Sequence, residues 1–267
     1  MPRGRWATIR KIWITTGISA TVVFVTWSLL AYRASSEART AMQGNERVAV
    51  TEADHHWRFQ PREASAETGL LFFPGALVNP KAYAPLLLSV ATARYPALLI
   101  EVPRRGVAGG ADGAEPLNRA VTATLGLPEV KRWVVAGHSR GAEIAARLAR
   151  TTAPSIAGLV LIGSSHPRDF SITNIGLPVT RVYGTRDTVA DVEKLERTKP
   201  NLPADAKHVR IDGGNHSQFG SYGFQPGDWP ATISREEQQR QTLGAVLEML
   251  QRVAGDPNTP DREQPKI

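Results

Sequence analysis

The sequence predicts an α/β domain built on a mainly parallel sheet with helices on both faces, preceded by an N-terminal helix able to cross a membrane. Three observations carry that expectation. From about residue 47 onward, short apolar runs alternate with longer amphipathic ones, and each apolar run stops at glycine, proline or a polar turn. This is the pattern of repeated βα units. Ile12 to Tyr32 is a run of 21 residues without a charge, roughly 31 Å as a helix, which matches the hydrocarbon core of a bilayer. The chain has 267 residues, 42% of them hydrophobic, so it can bury a substantial core.

Arg3, Arg5, Arg10 and Lys11 precede the apolar run, and Arg33, Glu37 and Arg39 follow it. The excess of positive charge before the run predicts a cytoplasmic N-terminus and an extracytoplasmic domain, a single-pass protein of the cell membrane. The run is longer than a signal-peptide core and Ala34-Ser35-Ser36 is only a passable cleavage site. An uncut signal anchor is therefore expected over a cleaved one. The expected organisation is a basic tail (1–11), a membrane anchor (12–32), a polar stalk (33–46), an α/β domain (47–254) and a disordered proline-rich tail (255–267). Cysteine is absent, which suits an oxidising exterior without a disulfide framework. Of the 32 Lys and Arg, five fall in the first 34 residues, leaving 27 against 25 acids. A nearly balanced domain argues against a nucleic-acid surface.

Within the domain, Arg47 to Thr51 reads as a weak strand, and Leu70 to Phe73, closed by Pro74-Gly75, as a stronger one. A helix is expected over 81–94, a buried strand over 97–102, a helix over 117–125, a strand over 132–136 and a helix over 140–150. Strands follow at 157–162, 179–183 and 207–211, and a long helix over 234–253 closes the fold. In the helix after Ser139, Glu143, Arg147 and Arg150 share one face and Ala142, Ala145, Ala146 and Ala149 the other. Such a small-residue stripe lets a helix sit close on a sheet. There is no internal repeat.

The chemistry centres on Gly137-His138-Ser139-Arg140-Gly141, between an expected strand and an expected helix. A sharp turn there forces the serine into an unusual backbone conformation, and glycines on both flanks relieve the crowding. A serine hydroxyl needs a base, and the base needs an orienting carboxylate. Asp187 in VYGTRD and His216 in IDGGNHSQFG both follow buried strands, with Asp191 and Asp169 as competing carboxylates. The N–H of Arg140 would face a developing oxyanion, and the turn Pro74-Gly75-Ala76-Leu77 offers a second donor, Ala76 first and Leu77 next. All of these lie where strand C-termini meet loops, the usual ligand position in open α/β sheets.

These motifs resemble the α/β-hydrolase superfamily from about Thr68 to Val253. FFPGALVNPKAYAPL and GGNHSQFGSYGFQPGD are further similar to a membrane-anchored bacterial branch related to dienelactone-hydrolase-like proteins. The resemblance implies a triad of Ser139, Asp187 and His216 acting on a small-molecule acyl substrate, with no metal and no organic cofactor. Pro74 stands where many esterases carry the histidine of a His-Gly-Gly turn. Only about 16 residues separate Ile162 from Val179, too few for a helical lid.

Leu77, His138 and His166 are candidate substrate-binding residues. Arg140 is placed to attract a substrate carboxylate. Arg104-Arg105 reads as a solvated loop pair, with an acidic substrate or lipid headgroup as the alternative. His55-His56 has no third ligand at metal-binding spacing and is assigned to the stalk. The expected function is a serine hydrolase cleaving an ester or related acyl bond. Two alternatives stay open: an acyltransferase with the same triad, and a non-catalytic extracytoplasmic binding protein on the same fold.

Overall fold

The computed structural model describes residues 3–63, 65–151 and 155–255. The tail expected to be disordered, 255–267, lies outside them apart from Gly255. The chain opens with helix α1 (Arg3–Ala31), on which large apolar residues such as Trp13, Ile18 and Val23 are exposed. Its stretch Trp6–Ser28 has the length and apolar character of a membrane span, and none of it is buried against the domain.

Eight strands form one sheet in the order β1-β2-β4-β3-β5-β6-β7-β8. These are β1 (Val48–Ala53), β2 (His56–Pro61), β3 (Thr68–Phe73), β4 (Ala97–Ile100), β5 (Arg132–His138), β6 (Ile156–Ile162), β7 (Val179–Gly184) and β8 (Lys207–Ile211). From β4 to β8 all pairings are parallel, and β1 and β2 join antiparallel at one edge. Every residue of β3, β4 and β6 is buried, as expected of strands covered on both faces. The period of two divides the core: Leu70, Phe72, Val134 and Ala136 point to one face, and Leu71, Phe73, Trp133 and Val135 to the other. The first face is covered by α3 (Ala84–Thr92) and α7 (Arg235–Gly255), the second by α4 (Glu115–Leu125) and α5 (Arg140–Ala149). Edge strand β8 exposes Lys207, His208 and Arg210 rather than apolar side chains, which discourages pairing with another sheet.

Three elements differ from expectation. The segment read as a polar stalk contains helix α2 (Ser36–Ala41), capped by Ser35 Oγ accepting from Ala38 N–H at 3.1 Å. Its Ala38 and Ala41 are buried in the core beside α3. His55 and His56 belong to the hairpin joining β1 to β2. His56 is buried, its Nδ1 2.9 Å from Asp54 O and its Nε2 accepting from Arg58 at 3.0 Å. Finally, α6 (Val192–Thr198) lies between β7 and β8. The 16 residues between Ile162 and Val179 hold no helix, so the strand C-termini carry no lid there.

Candidate active site

Strand β5 delivers the chain to Ser139, which adopts φ 54° and ψ −118° before α5 begins. Positive φ strains any residue with a side chain. The strain is held by Ser139 N–H donating to Ile162 O at 2.9 Å and by Ser164 Oγ–H donating to Ser139 O at 3.0 Å. The flanking glycines are required by close approach: a Cβ at Gly141 would collide with the carbonyls of Phe73 and Pro74, and one at Gly137 with the backbone of Gly141. The turn thus folds β5 tightly back into α5 and leaves Ser139 half-buried at the rim. The Ser139 hydroxyl makes no hydrogen bond among the described residues.

His216 and Asp187 are both buried, and His216 Nδ1 lies 2.8 Å from Asp187 Oδ2. A carboxylate only accepts, so Nδ1 carries the proton and Nε2 is left as the acceptor. The other carboxylate oxygen, Asp187 Oδ1, accepts from Val189 N–H at 2.9 Å and Ala190 N–H at 2.7 Å. That fixes the carboxylate just beyond β7. The two competing carboxylates lie elsewhere: Asp191 caps α6 by accepting from Lys194 N–H at 2.9 Å, and Asp169 is exposed.

The His216 loop is fastened by two side chains to which the sequence reading gave no role. Asp228 accepts from His216 N–H at 3.2 Å, Ser217 N–H at 2.9 Å and Ser217 Oγ–H at 3.0 Å. Burial raises its pKa, and the N–H groups it accepts counter that. Gln238, fully buried on α7, accepts from Asn215 N–H at 3.0 Å and donates to Asn215 O at 2.6 Å. Asp228 stands in GFQPGDW with nothing local to mark it. Gln238 is a polar residue on the inward face of a helix, and that misplacement is its one sequence signal.

His138 lies behind His216 rather than at the mouth. It is buried, with its ring 4.5 Å from that of His216 and 5.6 Å from Phe219. Burial, reinforced by the facing His216, pushes its pKa well down, so it is neutral. Its Nδ1 is 2.7 Å from the Tyr83 hydroxyl, whose oxygen also accepts from Gly75 N–H at 3.1 Å. Tyr83, a third residue missed in the sequence, thereby ties the Gly75 turn to the strand that carries Ser139.

In that turn the two donor candidates separate. Leu77 is exposed at φ 65°, and its N–H donates to Arg105 O at 2.8 Å. Gly75 N–H is taken by Tyr83, whereas Ala76 N–H has no partner among the described residues. At the facing position, Arg140 supplies the first N–H of α5, which has no intrahelical acceptor.

The Arg140 side chain is not a free cation. Its guanidinium lies 2.5 Å from Asp112 and 2.8 Å from Glu143, which corrects the expectation that it attracts a substrate carboxylate. His166 is buried with Nδ1 3.3 Å from Glu143. Burial, aided by Arg168, Arg140 and Arg181, holds its pKa down at about 3. Its N–H donates to Ser164 Oγ at 3.2 Å, so the His166 loop and the Ser139 turn are braced together.

The chain belongs to the alpha/beta hydrolase family, which it matches over residues 69–240. None of the curated proteins matches it. Among solved structures it is similar to a dienelactone hydrolase-like promiscuous phosphotriesterase from metagenomic libraries. That match has 16% identity and a TM-score of 0.57, covering 78% of this chain and 97% of the other. The esterase domain of a Rhodothermus marinus protein matches with 14% identity and a TM-score of 0.56, covering 78% and 98%. Esterase 2 of Thermogutta terrifontis matches with 16% identity and a TM-score of 0.51, covering 78% and 96%. At these identities the likeness is one of fold.

Proposed function

We propose that the protein is a serine hydrolase that cleaves a carboxylic ester, anchored by α1 in the cell membrane with its domain on the extracytoplasmic side. The observation that carries the catalytic reading is the buried 2.8 Å contact of His216 Nδ1 with Asp187, at the same rim as a serine strained to φ 54°. Ser139 Oγ attacks the ester carbonyl while His216 Nε2 takes its proton. The N–H groups of Arg140 and Ala76 hold the resulting oxyanion. Collapse breaks the ester C–O bond, and His216 returns the proton to the departing alcohol. Water, deprotonated by the same nitrogen, then attacks the acyl-serine and releases the carboxylic acid. Leu77, exposed beside Ala76, supplies an apolar contact for the acyl chain.

Ser139→Ala should lower kcat for p-nitrophenyl butyrate by about 10⁴-fold or more, as loss of a triad nucleophile does elsewhere, and should abolish labelling by a fluorophosphonate probe. Unchanged turnover would remove the assignment. The anchor is tested separately: the full chain should stay in the membrane pellet after carbonate washing and be digested by protease added outside intact cells.

A further inference from the structure

Where α1 meets the domain there is a groove of about 360 Å³ lined by Arg33, Ala34, Arg39, Asn79, Lys81 and Arg105. Four of these six are cations, and they come from three separate segments of the chain. Lys81 lies 3.7 Å from Glu52 and 5.3 Å over the Trp57 ring, and Arg39 donates one N–H to Ala34 O at 2.6 Å. Arg33, Arg39 and Arg105 have no carboxylate within salt-bridge reach among the described residues. Cations gathered in one groove repel one another unless an anion shares the space.

The depth of the groove identifies the anion. Trp6–Ser28 is 23 residues long, roughly 35 Å of helix, enough to fill a hydrocarbon core. Arg33 follows only five residues after Ser28, and the headgroup layer reaches roughly 5–7 Å beyond the core. The junction is tied rather than tethered. Gly223 N–H donates to Ala31 O at 2.7 Å, Asn79 N–H to Tyr32 O at 2.9 Å and Ser35 N–H to Ser221 O at 2.8 Å. The groove therefore stays at the depth where α1 leaves the bilayer.

We infer that this groove binds the anionic phosphate headgroup of a membrane phospholipid. The inference rests on the proposed membrane span of α1, though not on catalysis. Guanidinium groups match phosphate oxygens in geometry as well as charge. The groove also adjoins the candidate active site, because Arg105 O accepts from Leu77 N–H and a Cβ at Gly106 would meet Ala76 at 3.6 Å. A bound headgroup thus holds the oxyanion turn at the bilayer surface.

The test is calorimetric titration of the full chain carrying Ser139→Ala, in dodecyl maltoside, with dihexanoyl phosphatidylglycerol, dihexanoyl phosphatidylcholine and inorganic phosphate. Phosphatidylglycerol should bind saturably and at least tenfold more tightly than either of the other two. The double variant Arg33→Gln/Arg105→Gln should weaken it at least tenfold. Both side chains are exposed, and the single variant Arg33→Gln, expected to lose about threefold, guards against a folding defect in the double one. Equal affinity for the two lipids, or variants that bind like the parent, would overturn the site. Inorganic phosphate binding as tightly as phosphatidylglycerol would overturn the lipid as its source. Fluorophosphonate labelling and carbonate washing of the chain with Ser139 intact report the catalytic and anchoring readings independently of this outcome.

Discussion

At Tyr83 one hydroxyl serves two elements, accepting from Gly75 N–H and contacting His138 Nδ1 in a site with no access to water. Burial raises its pKa above the usual phenol value, so it remains a donor. Tyr83→Phe strands two buried polar groups, each costing about 1–3 kcal/mol, and frees the turn that carries Ala76. We expect a lower Tm together with a fall in kcat of about tenfold, measured on the same preparation. His166 gives a pH signature. Its folded pKa of about 3 lies below the ordinary 6.5, so the unfolded chain takes up a proton that the folded chain refuses. Stability from this group is therefore present above pH 6.5 and is lost as pH falls from there toward 3. Replacing His166 with Asn removes that term. The stability difference between parent and variant should shift by about 2.5 kcal/mol against the parent between pH 7 and 4.5, at about 1.4 kcal/mol per unit. Urea unfolding at the two pH values measures it, and a constant difference would contradict the burial argument.

Helix α5 reaches the sheet because its inward face is alanine and its first turn is glycine. Ala142, Ala145 and Ala146 are fully buried, and Gly141 meets the carbonyls of Phe73 and Pro74 with no room for a Cβ. Gly141→Ala should push α5 off β3 and lower stability by about 3 kcal/mol or more, with loss of labelling at Ser139. Gly244→Ala is the matched control: the position is exposed on α7 with nothing within 4 Å, so the same change should stabilise by about 1 kcal/mol. Calorimetric Tm values for the pair separate close packing from helix propensity. The contrast also shows what the sequence could reveal. The Ser139 turn was legible because strand, glycines and helix are contiguous and their spacing is local. Asp187 was legible as a residue after a buried strand, but only geometry separated it from Asp191, which is spent capping α6. Strand β2 escaped notice because polar His56 and Arg58 interrupt its apolar side chains. Helix α2 escaped because its buried face is only Ala38 and Ala41, whose partners lie on α3, far along the chain. Asp228 and Gln238 act on the His216 loop from 12 and 23 residues away, a distance at which no sequence period reports contact.

Across the whole molecule, the passage from α1 into the domain decides whether α1, as the proposed anchor, is a loose leash or a fixed mount. Chain continuity predicts only that the two are connected; the docking comes from the His216 loop folding back on the helix end. Gly223 N–H bonds to Ala31 O, and a Cβ at Gly223 would sit 2.8 Å from that oxygen and 3.1 Å from Ala31 Cα. Tyr222, one residue before, is buried with its ring stacked 6.1 Å from that of Tyr32. The loop that bears His216 at one end therefore grips the end of α1 at the other, seven residues later. Gly223→Val should break the grip while leaving Asp187 and Asp228 in place, because neither hydrogen-bonds to Ala31, Tyr32, Tyr222 or Gly223. We expect trypsin to cut at Arg33 and Arg39 at least tenfold faster in the variant. Turnover of a water-soluble p-nitrophenyl ester should stay within about threefold of the parent, whereas hydrolysis of an ester dissolved in the reconstituted bilayer should fall much further. If both substrates lost activity equally, the junction would be part of the domain's folding rather than a mount that sets the site's height above the membrane.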